Sequence, residues 1–154
     1  MNAKAAELGC KNTNFANATG LHNPNHYSTA HDIAKMMSYA LNISLLREIM
    51  SKDSYTTSPT NINPNGLHFT STVTSAFKRE GLDMGIIQGG KTGFTYEALL
   101  CLASFADLEV EGENKTFILV TLGAGDTSNT VRYNAIDANA VFNIDRTVIE
   151  VPAA

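Results

Sequence analysis

No stretch of this sequence approaches the ~20 consecutive apolar residues that a membrane-crossing helix needs. Cysteine is scarce, at two residues in 154. Cys10 and Cys101 are too few for a disulfide framework and fit no zinc-ligand spacing, so both read as buried thiols. Positive charge is not in excess: 11 Lys and Arg stand against 15 Asp and Glu, for a net charge of -4. With no basic excess and no block of like charge, nothing points to a nucleic-acid partner. At the N-terminus no charged segment precedes an apolar one, so no secretory signal is read there. Nor does an N-cap or lead-in precede the helix-forming run Asn2 to Leu8, which implies that the chain begins inside a larger unit. What is present is 44% apolar and 17% charged residues, one domain's worth of chain able to bury a single core.

Along the chain, the first helix should stop at Gly9. Asn12 to Asn25 reads as a long structured loop. Thr29 with Asp32 three residues on is an N-cap, and Ile33, Met36, Met37 and Ala40 follow as the apolar face of a helix. A short helix over Ser44 to Met50 should carry Leu45, Leu46 and Ile49 inward. Lys52 to Thr74 is rich in Ser, Thr, Asn and Pro and reads as extended segments and turns, with a tight turn at Asn65-Gly66. Tyr96 to Leu108 has helical propensity but is apolar almost throughout. Glu109 to Lys115 is a charged turn. Thr116 to Leu122 is the clearest strand, and its continuous β-branched run implies burial on both faces. Gly123 to Asp126 closes it, and Ser128 can cap a last helix to about Asn143, with Val131, Ala135, Ala138 and Phe142 on one side.

Two motifs overlap between Met84 and Thr95. Gly85 to Thr92 satisfies the phosphate-binding pattern G-x-x-x-x-G-K-[ST], in which Lys91 would reach a triphosphate and Thr92 would hold magnesium. The same stretch contains Lys91-Thr92-Gly93, the element found in penicillin-interactive serine enzymes. Context disfavours the nucleotide site. Arg79 to Asp83 is not a buried strand, Ile86 and Ile87 would fall inside the loop, and Gly93 would weaken the helix that must follow. The tripeptide alone is weak evidence too, although chance yields only about 0.05 copies at this composition.

Its company is stronger. Lys4-Ala5-Ala6-Glu7-Leu8-Gly9, Asn12-Thr13-Asn14-Phe15, Asn17-Ala18-Thr19-Gly20-Leu21 and the run His26 to Ala34 precede Gly89-Gly90-Lys91-Thr92-Gly93-Phe94-Thr95 in that order. This succession resembles the low-molecular-weight penicillin-binding proteins, the serine-type D-alanyl-D-alanine carboxypeptidases of peptidase family S11, over nearly the whole chain. The resemblance implies an α+β fold of the β-lactamase and DD-peptidase transpeptidase-like type, an antiparallel sheet flanked by helices, here incomplete. Residues 1–154 would be the C-terminal part of the catalytic domain. Three contiguous strands would begin with that of Lys91, so Tyr96 to Leu108 should be a strand antiparallel to Thr116 to Leu122. The resemblance also implies roles. Lys91 would set a positive potential and assist proton transfer. Thr92 would bind the substrate's terminal carboxylate. Gly93 would leave room for the peptide, and the Phe94 N–H would serve the oxyanion hole. Arg132 either helps to hold the carboxylate or is a solvated arginine at the start of the last helix. The implied ligands are peptidoglycan stem peptides ending in D-Ala-D-Ala and β-lactams. No cofactor or metal is implied, and the implied location is extracytoplasmic.

The departures matter as much. The family's Ser-x-x-Lys nucleophile and Ser-x-Asn loop belong upstream of the matched region. No Ser-x-Asn occurs in the sequence, and the single Ser-x-x-Lys, Ser75 to Lys78, lies in the wrong place and reads as coincidence, with about 0.45 copies expected by chance. The chain alone should therefore have no nucleophile and be catalytically inactive. His22, His26 and His31 read as loop histidines, because Pro24 breaks any helix that would align the first two. With the remainder of the domain absent, an exposed sheet edge or core face should drive the chain to form a homo-oligomer. The rival readings are a non-catalytic interaction module and the nucleotide site.

Overall fold

The computed structural model describes residues 1–125 and 127–143. Helices α1 (Asn2–Glu7), α2 (Ala30–Leu41) and α3 (Ser44–Ser51) come first. A short hairpin of β1 (Ser54–Thr56) and β2 (His68–Thr70) leads into α4 (Thr72–Arg79). Strands β3 (Gly89–Thr95), β4 (Leu99–Val110) and β5 (Glu113–Ala124) form an antiparallel sheet in that order, and α5 (Tyr133–Phe142) follows. No helix among the described residues is long and apolar enough to cross a membrane.

The central strand explains the architecture. Successive side chains of β4 point to opposite faces. Leu102 and Ala106 pack with Val73, Ala76 and Phe77 of α4 and with Ala135, Ala138 and Phe142 of α5. Ala103 and Phe105 pack with Met37 and Leu41 of α2 on the other side. Both faces are covered, so both sets of alternating residues are apolar, and the two-residue period vanishes from the sequence. The strand expected over Tyr96 to Leu108 is present and begins at Leu99, because Tyr96 to Ala98 form a turn in which the Ala98 N–H donates to Thr95 Oγ1 at 3.0 Å. At the far end the expected charged turn is only Glu111-Gly112. Both residues have positive φ, as a two-residue hairpin turn requires, and the strands run up to it on either side.

Several expectations need correction. No residue of β5 is fully buried; Phe117 and Leu122 are 39% and 43% exposed. The β-branched run of 116–122 therefore lies on the last strand of the described sheet rather than at its centre. In α3, Leu45, Leu46 and Ile49 point outward, at 63%, 39% and 58% exposure. The helix is oriented instead by Arg47, whose guanidinium bonds Asp107 at 2.8 Å and Thr116 Oγ1 at 3.0 Å, and by Met50, which packs against the cluster of Met37, Leu41, Ala103 and Phe105. Residues 72–74 are not extended but open α4. Ser71 caps that helix, accepting from the Thr74 N–H, and Val73, Thr74, Ala76 and Phe77 are buried. Ser128 does not cap α5. Its hydroxyl pairs with that of Thr130 at 2.9 Å in a local turn, and the helix starts at Tyr133 with Arg132 as N-cap. Cys10 is buried, but Cys101 is only partly so. Asp126, expected in the turn after β5, lies outside the described residues, as does everything after Asn143.

The N-terminal third hangs on Asp32. The Thr29 hydroxyl accepts from the Asp32 N–H at 3.2 Å, the expected cap. The buried Asp32 carboxylate accepts in turn from the Asn12 N–H and the Thr13 hydroxyl, both at 2.8 Å. This ties the loop after α1 to the first turn of α2.

Candidate active site

Strand β3 carries the motif because its neighbours demand small residues before it. A Cβ on Gly89 would collide with the Met50 carbonyl of α3, and one on Gly90 with the Ala103 carbonyl of β4. Past the two glycines the strand is free to bear side chains. Lys91 lies opposite Ala103 and Gly93 opposite Cys101, on the α2 side; Thr92 lies opposite Leu102 and Phe94 opposite Leu100, on the α4 and α5 side. Lys91 and Gly93 are exposed, Thr92 and Phe94 half-buried.

A cavity of about 460 Å³ opens between β3, α4 and the start of α5. Lys91, Thr92, Gly93 and Phe94 form one wall, and Arg132 faces them, so the five residues singled out in the sequence border one space. The Thr92 hydroxyl is 2.6 Å from that of Thr72. The Lys91 ammonium donates to the Thr92 carbonyl. The Arg132 guanidinium donates to Asn129 Oδ1, and its backbone N–H donates to Glu80 Oε1 at 2.8 Å. Lys91 also borders a cavity of about 610 Å³ between α3 and the β1–β2 hairpin, and an apolar groove of about 350 Å³ against α2. It stands where three openings meet.

Four further polar residues border the first cavity, Thr72, Ser75, Arg79 and Asn134; none is expected there from the sequence, and Ser75 is singled out only by the Ser-x-x-Lys match that reads as coincidence. Three sit on α4, whose signal was present in the Ser71 cap, the Val73, Ala76 and Phe77 spacing and the basic last turn of Lys78 and Arg79. The Ser75 hydroxyl donates to the Ser71 carbonyl at 2.8 Å, and Lys78 is not among the residues lining the cavity. Asn134, within α5, is 1% exposed; its Nδ2 donates to the Cys101 carbonyl at 3.2 Å and its buried Oδ1 has no partner among the described residues.

Gly85 to Thr92 form a turn leading into a strand, without the helix a phosphate loop must open. The histidines are dispersed. His22 Nδ1 lies 3.8 Å from the Glu97 carboxylate, His26 meets the Phe15 ring edge-on, and His31 is exposed beside Asp32. Among the described residues no group of three or more His, Cys, Asp or Glu side chains is placed to hold a metal ion.

A sequence model of D-alanyl-D-alanine carboxypeptidases matches residues 1–126. The D-alanyl-D-alanine carboxypeptidase DacF of Bacillus subtilis is 33% identical over 138 residues, which is 80% of this chain and 29% of that protein. The crystal structure of a Streptomyces DD-transpeptidase superposes with a TM-score of 0.68 at 25% identity, over 92% of this chain and 51% of its own. That of a D-alanyl-D-alanine carboxypeptidase from Mycobacterium tuberculosis shares the fold, with a TM-score of 0.63 at 21% identity over 94% and 53%. The chain thus spans about half the length of these solved relatives and under a third of the curated one. Its sheet of three contiguous antiparallel strands with helices on both faces is the corresponding part of their α+β fold. With the family model covering most of its length, the chain belongs to the D-alanyl-D-alanine carboxypeptidases of peptidase family S11.

Proposed function

We propose that this chain supplies the Lys-Thr-Gly side of the active site of a serine-type D-alanyl-D-alanine carboxypeptidase, which removes the terminal D-alanine from peptidoglycan stem peptides outside the cytoplasmic membrane. The observation that carries this is the convergence of Lys91, Thr92, Gly93, Phe94 and Arg132 on one cavity. In this reading the Lys91 ammonium gives the cleft a positive potential and assists proton transfer among the catalytic hydroxyls. The Thr92 hydroxyl and Arg132 hold the substrate's carboxylate. Gly93 gives the peptide a close approach to the strand. A Cβ there would meet only the Cys101 Cβ, at an ordinary 3.8 Å, so packing within the chain does not call for a glycine. The Phe94 N–H is one oxyanion donor.

The covalent step needs a nucleophile that these 154 residues do not offer. Ser75 borders the cavity, but its proton is given to the Ser71 carbonyl and Lys78 is not among the described residues that line it, which supports reading the Ser-x-x-Lys match as coincidence. Incubation of the chain with a labelled penicillin should yield no acyl adduct by intact mass spectrometry. A stoichiometric adduct would overturn the inactivity, and one on Ser75 would name the overlooked nucleophile. Joining a family segment with Ser-x-x-Lys and Ser-x-Asn ahead of Met1 should restore release of D-alanine. Lys91→Ala should then cost at least about 10²-fold in kcat. A folded fusion without activity, or one indifferent to Lys91, would sink the proposal.

A second reading, a self-associating module, is favoured by the exposed apolar side of α3 and the hairpin beside it, where Leu45, Ile49, Tyr55 and Phe69 border one cavity at 55–63% exposure. The two readings are compatible.

A further inference from the structure

The cavity beside Thr92 has a wall that the Lys-Thr-Gly roles leave unused. Thr72, Ser75, Ala76 and Arg79 recur at i, i+3, i+4 and i+7, so one face of α4 lines it from end to end. Among the described residues no Asp or Glu lines the cavity, whereas Arg79, Arg132 and Lys91 all do. Among the described residues no carboxylate stands at ion-pair distance from either arginine. Glu80 comes near, but it is spent on the main chain, accepting from the Arg132 N–H at 2.8 Å. That bond has a geometric consequence. Glu80 follows Arg79 directly, so fastening it to the Arg132 backbone brings both arginines to the same end of the cavity.

One pair of neutral groups narrows the ligand. The Thr72 and Thr92 hydroxyls are 2.6 Å apart, so one donates to the other and the second proton remains for an outside acceptor. Cations and a free hydroxyl donor together suit an anionic group, and the α-carboxylate of a peptide's last residue has that chemistry.

We propose that Arg79 is a substrate-binding residue, which with Arg132 forms a two-guanidinium clamp on the terminal carboxylate. The clamp rests on the reading that this cavity receives a peptide C-terminus. Thr72 is its positioning partner, holding the Thr92 hydroxyl in place. Arg79 is exposed, in the last turn of α4, and is not part of either core cluster, so its replacement leaves the fold intact.

The test uses the full 154-residue chain, ¹⁵N-labelled, titrated with N-acetyl-D-Ala-D-Ala and separately with its C-terminal amide, which lacks the carboxylate. In the wild type the acid should shift the amides of Lys91 to Phe94 and bind more tightly than the amide. Arg79→Gln should weaken the acid by roughly fivefold to tenfold and leave the amide unchanged. Arg79→Lys, which keeps the charge without the fork, should fall between. The wild-type preference for the acid should shrink in 0.5 M salt. Unchanged thermal midpoints would confirm that the variants are folded. Equal affinity of wild type and folded Arg79→Gln for the acid would overturn the clamp alone and leave the carboxypeptidase reading standing. Equal binding of acid and amide by the wild type would also overturn the clamp. Failure of the wild type to bind the acid at all would remove the peptide-terminus reading of the cavity and the clamp with it.

Discussion

The Asp32 carboxylate is 1% exposed and charged. Burial alone would raise its pKa, but the Thr13 hydroxyl, the Asn12 N–H and the Lys35 charge outweigh that and hold it below the ordinary 3.8. The unfolded chain therefore takes up this proton at higher pH than the folded one. The stability it contributes is complete above about pH 4 and is lost as pH falls through the lower folded value. Asp107 behaves alike, lowered first by the Thr116 hydroxyl and then by Arg47. Thermal midpoints measured from pH 6 down to pH 3 should fall steeply for the wild type and less steeply for Asp32→Asn, which starts lower. Parallel curves would show that Asp32 does not carry the acid sensitivity. Phe105 offers a contrast, since its cost is independent of pH. It is 0% exposed at the centre of β4, and Phe105→Ala should cost about 3–5 kcal/mol in denaturant unfolding.

Among the elements, β3 depends on contacts made by its backbone. The Gly89 Cα faces the Met50 carbonyl at the end of α3 so closely that even a methyl group cannot be placed there. Gly89→Ala should push α3 off the strand, disturb Lys91 two residues on, and destabilise the chain by about 1–3 kcal/mol. Denaturant unfolding measures the loss, and amide shifts at Lys91 and Met50 report the displacement. A variant as stable as the wild type would mean that α3 yields freely. The Arg47 fork to Asp107 and Thr116 argues otherwise, because it fastens the middle of α3 to both β4 and β5.

At the scale of the whole molecule, two core clusters sit on opposite faces of a three-stranded sheet, and among the described residues nothing covers a third apolar surface. Leu45, Ile49, Tyr55 and Phe69 are all more than half exposed around one cavity. Soluble monomers rarely tolerate large patches of this kind, and in a solution of this chain alone the available cover is a second copy. Sedimentation equilibrium at tens of micromolar should show dimers or larger species, and Leu45→Asp combined with Ile49→Asp should return the monomer without lowering its thermal midpoint. A soluble wild-type monomer at that concentration would count against self-association through this face.

The sequence by itself determined those features whose causes are local. The Thr29 cap depends on a hydroxyl three residues from the amide it accepts, and the Lys-Thr-Gly element on three adjacent residues in a distinctive order of motifs. The strand at 99–110 was legible through the family resemblance and against its own helical propensity, since burial on both faces erases strand periodicity. Which face of α3 turns inward was not legible. Hydrophobicity chose Leu45, Leu46 and Ile49, but a guanidinium bound to a carboxylate 60 residues away set the rotation. The β-branched run of β5 looked central for the same reason: side-chain character does not say where a strand stands in the sheet. Nor could sequence place Arg79 beside Arg132. They are 53 positions apart, and only the packing of α4 and α5 on one face of β4, with Glu80 bonded across to the Arg132 backbone, brings the two charges to one cavity.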